Sequence, residues 1–200
     1  MGRALALLLL ALPRALAQTV SCDAADLLFD FSDPGPLQTL TVGGESYYVA
    51  NLASYLLLLS GTSPMRFLPT QVVGGSGGRV ACTLTTYTFG GFGGTLCGAG
   101  TTRCFRVSHV TGSLPVPGDW QGRLYVLVQV ASGNATSHVP TPTLLSAVPD
   151  GRGLASVGPF TFFTPAQLWI YYFLELSPTD AFPSLPAQGV LTLTYSLQNN

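Results

Sequence analysis

Residues Gly74–Cys97 read GGSGGRVACTLTTYTFGGFGGTLC, and how this stretch is taken decides the fold. Eight of its 24 residues are glycine, and two are cysteine. Three readings compete: a serine nucleophile in a G-x-S-x-G turn, a low-complexity linker, or glycine turns flanking a strand in a disulfide-stapled sheet. In an α/β-hydrolase, that motif turns a strand into a helix. Here the stretch that follows, RVACTLTTYTF, has the Val/Thr/Tyr content of a strand. A trypsin-like or subtilisin-like order needs a histidine before the serine, but the first histidine is His109. A Ser-then-His order would have to use His109, which lies mid-strand in FRVSHVTG, or His138, which lies beside a glycosylation motif. Ser76 is therefore read as part of a glycine turn, with a small serine hydrolase as the minor rival. GGSGG and GGFGG bracket one strand and are not a repeat unit.

The same pattern continues outward. LQTLTV, SYYVA, CFRVSHV, RLYVLVQVA, PFTFF, QLWIYYFLEL and VLTLTYSL are rich in β-branched, aromatic and leucine residues. In the last, Leu191, Leu193 and Tyr195 alternate with Thr192, Thr194 and Ser196, the period of a half-buried strand. DPGP, VGGE, SGTSP, PVPGDWQG, PTPT and PDGRG between them carry the proline and glycine of turns. Fifteen prolines spread this way exclude a long helix. Eight or more short strands predict an all-β fold, an antiparallel β-sandwich stapled by disulfides. Tyr47–Leu59, YYVANLASYLLLL, reads equally as a three-turn helix or as two strands. The expected organisation is a signal peptide over 1–17 and one β-sandwich domain over 18–200, with a candidate sub-boundary near 74–78.

The N-terminus carries the secretory prediction. Arg3, the apolar run Ala4–Leu12 and the A-x-A site Ala15–Ala17 form a cleavable signal, too short to cross a bilayer. ASYLLLLSG and LWIYYFLEL are each about half of a spanning helix, so no transmembrane segment is expected. Four cysteines, Cys22, Cys82, Cys97 and Cys104, then imply two disulfides. Three pairings are open. One closes a small loop between Cys97 and Cys104 and leaves Cys22 and Cys82 for a long one. Asn134-Ala135-Thr136 is an N-glycosylation acceptor, which places Asn134 on a surface loop.

All eight basic residues are arginine. Without the signal, six arginines face nine acidic residues. No clustered positive face exists for nucleic acid. With 8% charged and 47% hydrophobic residues, the surface favours association with a partner. No metal motif is present, since there is no C-x2-C and the two histidines lie apart. No cofactor is expected. Asp23, Asp26, Asp30 and Asp33 lack the alternating calcium-loop pattern and are read as turn and edge charges. Glu175 is read as lying on the outward face of a strand. Trp120, Trp169 and Tyr171 are the candidate ligand-contact residues, for a sugar or lipid, against a core role.

From Cys82 onward, TLTTYTFGGFGGTLC (Thr83–Cys97) and GRLYVLVQVASGNATSHVPTPTLLS (Gly122–Ser146) resemble the lumenal domain of the uroplakin III family. The shared features are a threonine-rich strand ending at a cysteine, an apolar YVLV strand, a glycosylated Asn-x-Thr and a Thr-Pro segment. The resemblance implies a β-rich lumenal glycoprotein that pairs with a membrane protein and builds membrane plaques. It also implies a disulfide role for Cys97 and a glycan on Asn134. The chain departs from the family in having no C-terminal membrane span, and its first 60 residues after the signal have no counterpart. The expectation is thus a non-enzymatic, secreted or lumenal glycoprotein acting by protein–protein contact in a cell-surface, coat or plaque assembly. Its partner would be a membrane or coat protein, and a homo-oligomer stays open. The rival is a secreted carbohydrate- or lipid-binding module.

Overall fold

The computed structural model describes residues 18–86, 97, 104–158, 161, 163–180, 182 and 187–198. The predicted signal at 1–17 and the GGFGG loop lie outside the described residues. Within them the chain forms fourteen strands: β1 (Thr19–Cys22), β2 (Asp26–Asp30), β3 (Thr39–Val42), β4 (Glu45–Val49), β5 (Met65–Leu68), β6 (Gln71–Val73), β7 (Val80–Thr85), β8 (Cys104–Ser113), β9 (Leu124–Ser132), β10 (Ala135–Ser137), β11 (Thr143–Leu144), β12 (Gly153–Val157), β13 (Ala166–Leu176) and β14 (Gln188–Gln198). One helix of nine residues, α1 (Leu52–Ser60), sits between β4 and β5.

The strands form two sheets. In the first, β13 is central. One edge pairs with β9 over Gln167–Leu174, and β9 continues to β11. The other edge is shared by β7, over Ala166–Ile170, and β5, over Leu174–Leu176. From there the sheet runs to β1 on one branch and to β4 and β3 on the other. The second sheet has the order β10-β12-β8-β14-β2-β6. The chain changes sheet repeatedly, and Gly74–Gly78 is one such crossing, from β6 to β7. Residues before and after it, from Leu27 to Leu193, share one core between the sheets. This is an all-β, disulfide-stapled sandwich.

Burial follows the two-residue period. β7 alternates buried and half-buried from Val80 to Thr85. In β14, Leu191 and Leu193 are buried. Tyr195 comes from β14 and Tyr172 from β13, and their hydroxyls approach each other inside the core. Burial raises the pKa of both phenols, that of Tyr172 to well above the usual tyrosine value. Gly43 and Gly44, the tip of the β3–β4 hairpin, have φ of +62° and +88°, the conformation a tight two-residue turn demands.

Several elements differ from their sequence reading. Asp26–Asp30 is not a turn with edge charges but strand β2, bonded to β14 on one side and β6 on the other. Leu27 and Phe29 fill the core, while Asp26 and Asp30 alternate outward and accept bonds from Thr192 and from Ser32 and Gln188. Of PFTFF, Thr161 and Phe163 lie in turns. The ambiguous span is neither one helix nor two strands but a strand followed by a helix, with Asn51 between them.

Asn51 is the reason. Its side chain accepts the Ser54 N–H at 2.8 Å, while the Ser54 hydroxyl accepts the Asn51 N–H at 3.1 Å. This reciprocal cap closes the N-terminus of α1. The Asn51 Nδ2 also donates to the Pro36 carbonyl at 2.7 Å. Because β4 and β5 pair in parallel, the chain must cross over between them, and α1 is part of that crossover. Tyr55 anchors it, packing 4.0 Å from Phe182 and 5.9 Å from Phe31 between ring centroids.

Both disulfides take one of the pairings open in the sequence: Cys22–Cys82 links β1 to β7, and Cys97–Cys104 closes a short loop onto β8. Gly153 passes so close to the second bridge that a Cβ there would lie 2.5 Å from Cys97 Cβ.

Asn51→Ala removes the cap and the donor to the Pro36 carbonyl. A loss of about 2 kcal/mol is expected in denaturant unfolding. A loss below about 0.5 kcal/mol, the scatter of ordinary surface changes, would show that α1 does not depend on its cap.

Candidate interaction surface

The outer face of the first sheet is covered by its own hairpin. On β13 the residues alternate: Leu168, Ile170, Tyr172, Leu174 and Leu176 enter the main core, while Trp169, Tyr171 and Phe173 join a second cluster with Val42, Tyr47, Leu68 and Leu127. The β3–β4 hairpin curls over this face. Tyr47 and Phe173 pack with ring centroids 4.5 Å apart, and the hairpin tip at Gly43 reaches Leu127 on β9.

This arrangement places the three candidate aromatic residues. Tyr171 is buried in the second cluster at 6% exposure. Trp169 is half-buried at the rim of that cluster, with the Arg79 guanidinium 4.1 Å from its ring centroid. Trp120 packs against the main core, with Arg152 5.7 Å from its ring centroid. Trp169 and Tyr171 thus share a face of β13, and Trp120 joins a different cluster. Ser76 is exposed in a strand–turn–strand connection and bridges to Arg79. Asn134 is exposed at the turn between β9 and β10.

Charge is concentrated at one end of β13. Arg123 grips Asp180 through two bonds of 2.6 and 2.8 Å, the bidentate geometry a guanidinium offers a carboxylate. Asp180 also accepts the Ser177 N–H at 2.7 Å, and its carbonyl accepts the Tyr55 hydroxyl at 3.3 Å. The hydrogen bond from Arg123 is the main reason the Asp180 carboxyl lies below the usual aspartate range. Glu175, on the outward face as its strand position implies, accepts from Arg66 at 2.9 Å and from Tyr125 at 3.2 Å. Burial and the neighbouring Glu45 push the Tyr47 phenol up to about 12. These groups wall two open clefts of about 480 and 310 Å³, which meet at Pro64 and Glu175. Trp120, Trp169 and Tyr171 belong to neither. Arg123 ties the 177–180 turn to the start of β9, and the Tyr55 hydroxyl ties the same turn to α1.

Beside that turn, α1 carries three exposed leucines. Leu52, Leu56 and Leu59 of α1 are 37%, 57% and 46% exposed. They recur at i, i+4 and i+7, one stripe of a helix. From Ser46 to Met65 no residue is charged. Only Ser54 and Leu58 of α1 are fully buried. The sequence held the leucine run but gave no sign of which leucines would face outward, because that depends on Tyr55 being held by Phe31 and Phe182 and on Leu58 entering the core. Among the described residues, no helix is long and apolar enough to cross a membrane, and no group of three or more His, Cys, Asp or Glu is placed to hold a metal ion.

Compared with protein-family models, curated proteins and solved structures, the chain matches none.

The Asp180 carboxyl titrates lower in the folded state than in the unfolded chain. Its contribution is therefore full above the unfolded aspartate value, near pH 4, and is lost as pH falls through the lower folded value. Asp180→Asn should lower the melting temperature at neutral pH and flatten its fall on acidification below about pH 4. An unchanged acid slope in thermal melts would remove Asp180 from the stabilising set.

Proposed function

We propose that this protein is a secreted or lumenal glycoprotein that works by protein–protein contact, within a cell-surface, coat or membrane-plaque assembly of the kind the uroplakin III resemblance implies. The observation that carries this reading is the α1 stripe. Three leucines stand in water on a helix whose cap, aromatic anchor and flanking ion pairs are all in place. Burying a fully exposed leucine side chain is worth about 1.5–3 kcal/mol, and with roughly half of each still exposed the three together offer an anchor to a partner with an apolar groove. Helices present i, i+4 and i+7 side chains to such grooves. The lack of charge from Ser46 to Met65 suits a partner surface that is itself uncharged. Two disulfides and an exposed Asn134 sequon suit the oxidising, glycosylating compartment that the N-terminal sequence predicts.

The test is expression of the full chain in secretory cells, with medium and membrane fractions run on sizing columns before and after glycosidase treatment. The expected result is a glycosylated protein held at membranes or in large assemblies. Leu56→Gln with Leu59→Gln keeps helix-forming residues on an exposed face. It should release the protein into the medium with its stability within about 0.5 kcal/mol of the parent. A parent protein found in the medium only as a monodisperse monomer would overturn the assembly reading.

A further inference from the structure

The first sheet ends at β1, and its free edge is built for self-pairing. β1 pairs antiparallel with β7 through Thr19↔Thr85, Val20↔Leu84, Ser21↔Thr83 and Cys22↔Cys82. The Asp23 N–H donates to the Ala81 carbonyl at 3.0 Å, so the next register pair, Asp23↔Ala81, is a hydrogen-bonded one. Pair types alternate along an antiparallel ladder. Cys22↔Cys82 is therefore a non-hydrogen-bonded pair, as its Cα–Cα distance of 4.0 Å also indicates, and Val20↔Leu84 is another. The N–H and C=O groups of Val20 and Cys22 thus point away from β7, along the open edge.

Among the described residues no strand pairs with that edge. Val20 and Cys22 line an open groove of about 530 Å³ with Asp23, Val73, Leu193 and Tyr195. Val73, on the end strand β6 of the other sheet, is 46% exposed. Edge strands are normally guarded by short length, lysine, proline or inward-facing charge; β1, Thr-Val-Ser-Cys, is short but carries no lysine, proline or charge. The one acid beside it, Asp23, directs its carboxylate to the Ala81 N–H at 2.8 Å.

We propose that a second copy of this chain occupies the edge, with β1 pairing antiparallel to β1 about a two-fold axis through Ser21. In that register Val20 of each copy faces Cys22 of the other, and both carry outward donors and acceptors, so the pairing is self-complementary. Ser21 then faces Ser21 as a non-hydrogen-bonded pair. The first sheet runs continuously through both copies, and the interface is isologous. This goes beyond the α1 reading and stands apart from it: α1 takes a different partner through side chains, β1 takes a second copy through main chain.

Light scattering on the full chain carrying Leu56→Gln and Leu59→Gln, which frees it from the α1 partner, reads the copy number over a dilution series. Two copies are expected, dissociating on dilution. Val20→Pro deletes an outward N–H and no bond to β7, the edge position where proline is tolerated; it should give one copy. Val20→Thr keeps the N–H and should stay paired. Amide exchange on the same chain with Val20 intact supplies a measurement that does not depend on the proline variant folding. The Val20 and Cys22 amides should be protected when concentrated and exposed on dilution, while Ser21, bonded to β7, stays protected throughout. A chain with Val20 intact that is single at every concentration, a Val20→Pro chain that still pairs, or Val20 and Cys22 amides indifferent to dilution would each overturn the proposal. Loss of membrane-held material in the α1 variant with pairing intact would leave β1 standing, and the converse would leave α1 standing.

Discussion

Strand β13 is buried on both faces through its middle, Ile170–Leu174, and the rest of the molecule is arranged to satisfy that constraint. Its eleven residues include Leu168, Ile170, Tyr172, Leu174 and Leu176 on one side and Trp169, Tyr171 and Phe173 on the other. The first set buries against the second sheet. The second set would face water in an ordinary two-layer sandwich, so a further cover is required. The β3–β4 hairpin supplies it. Reaching that position takes β4 along the edge of β5 in parallel, and a parallel pairing forces a crossover connection. The one helix longer than a single turn among the described residues is a consequence: α1 is the piece of chain that lets β4 and β5 run the same way.

Scarce charge is spent on holding this arrangement. Arg66 and Arg123 pair with Glu175 and Asp180 around the end of β13, and Arg79 and Arg152 lie over Trp169 and Trp120. Exposed ion pairs contribute only about 0–1 kcal/mol each, so their value lies in fixing position. The Asp180 turn bonds to Arg123 through its carboxylate and to Tyr55 through its carbonyl, which links β9 to α1. With the arginines committed there, α1 and its flanks are left without charge. A surface with neither charge to repel a partner nor enough apolar area to collapse the fold is suited to association.

Much of this was legible from alternation alone. Leu191 and Leu193 against Thr192 and Thr194, or the run Val80–Thr85, announced strands because period 2 is imposed by the backbone. β2 was hidden because Asp26 and Asp30 frame Leu27 and Phe29, and acidic residues are easily read as turn chemistry. The leucines of α1 fit helix or strand equally; the arbiter was Asn51, whose cap depends on Ser54 and on Pro36 fifteen residues away. Tyr171 and Trp169 drew attention as aromatic residues, but the sequence could not show that a hairpin from more than a hundred residues earlier covers them. The ion pairs Arg66–Glu175 and Arg123–Asp180 join positions 109 and 57 apart, and pairing at that distance follows from topology rather than from local pattern. The free edge of β1 likewise appears only once its register with β7 is known.

The account rests most heavily on α1 being a contact surface. The most direct measurement places a photo-activated leucine analogue at position 56 of the full chain in secretory cells, with a matched probe at the exposed Thr136 on β10. Light should trap a discrete second protein through position 56 and leave position 136 unlinked. Absence of any adduct at 56, or the same adducts at both positions, would contradict the assignment of α1 as the surface through which this protein works.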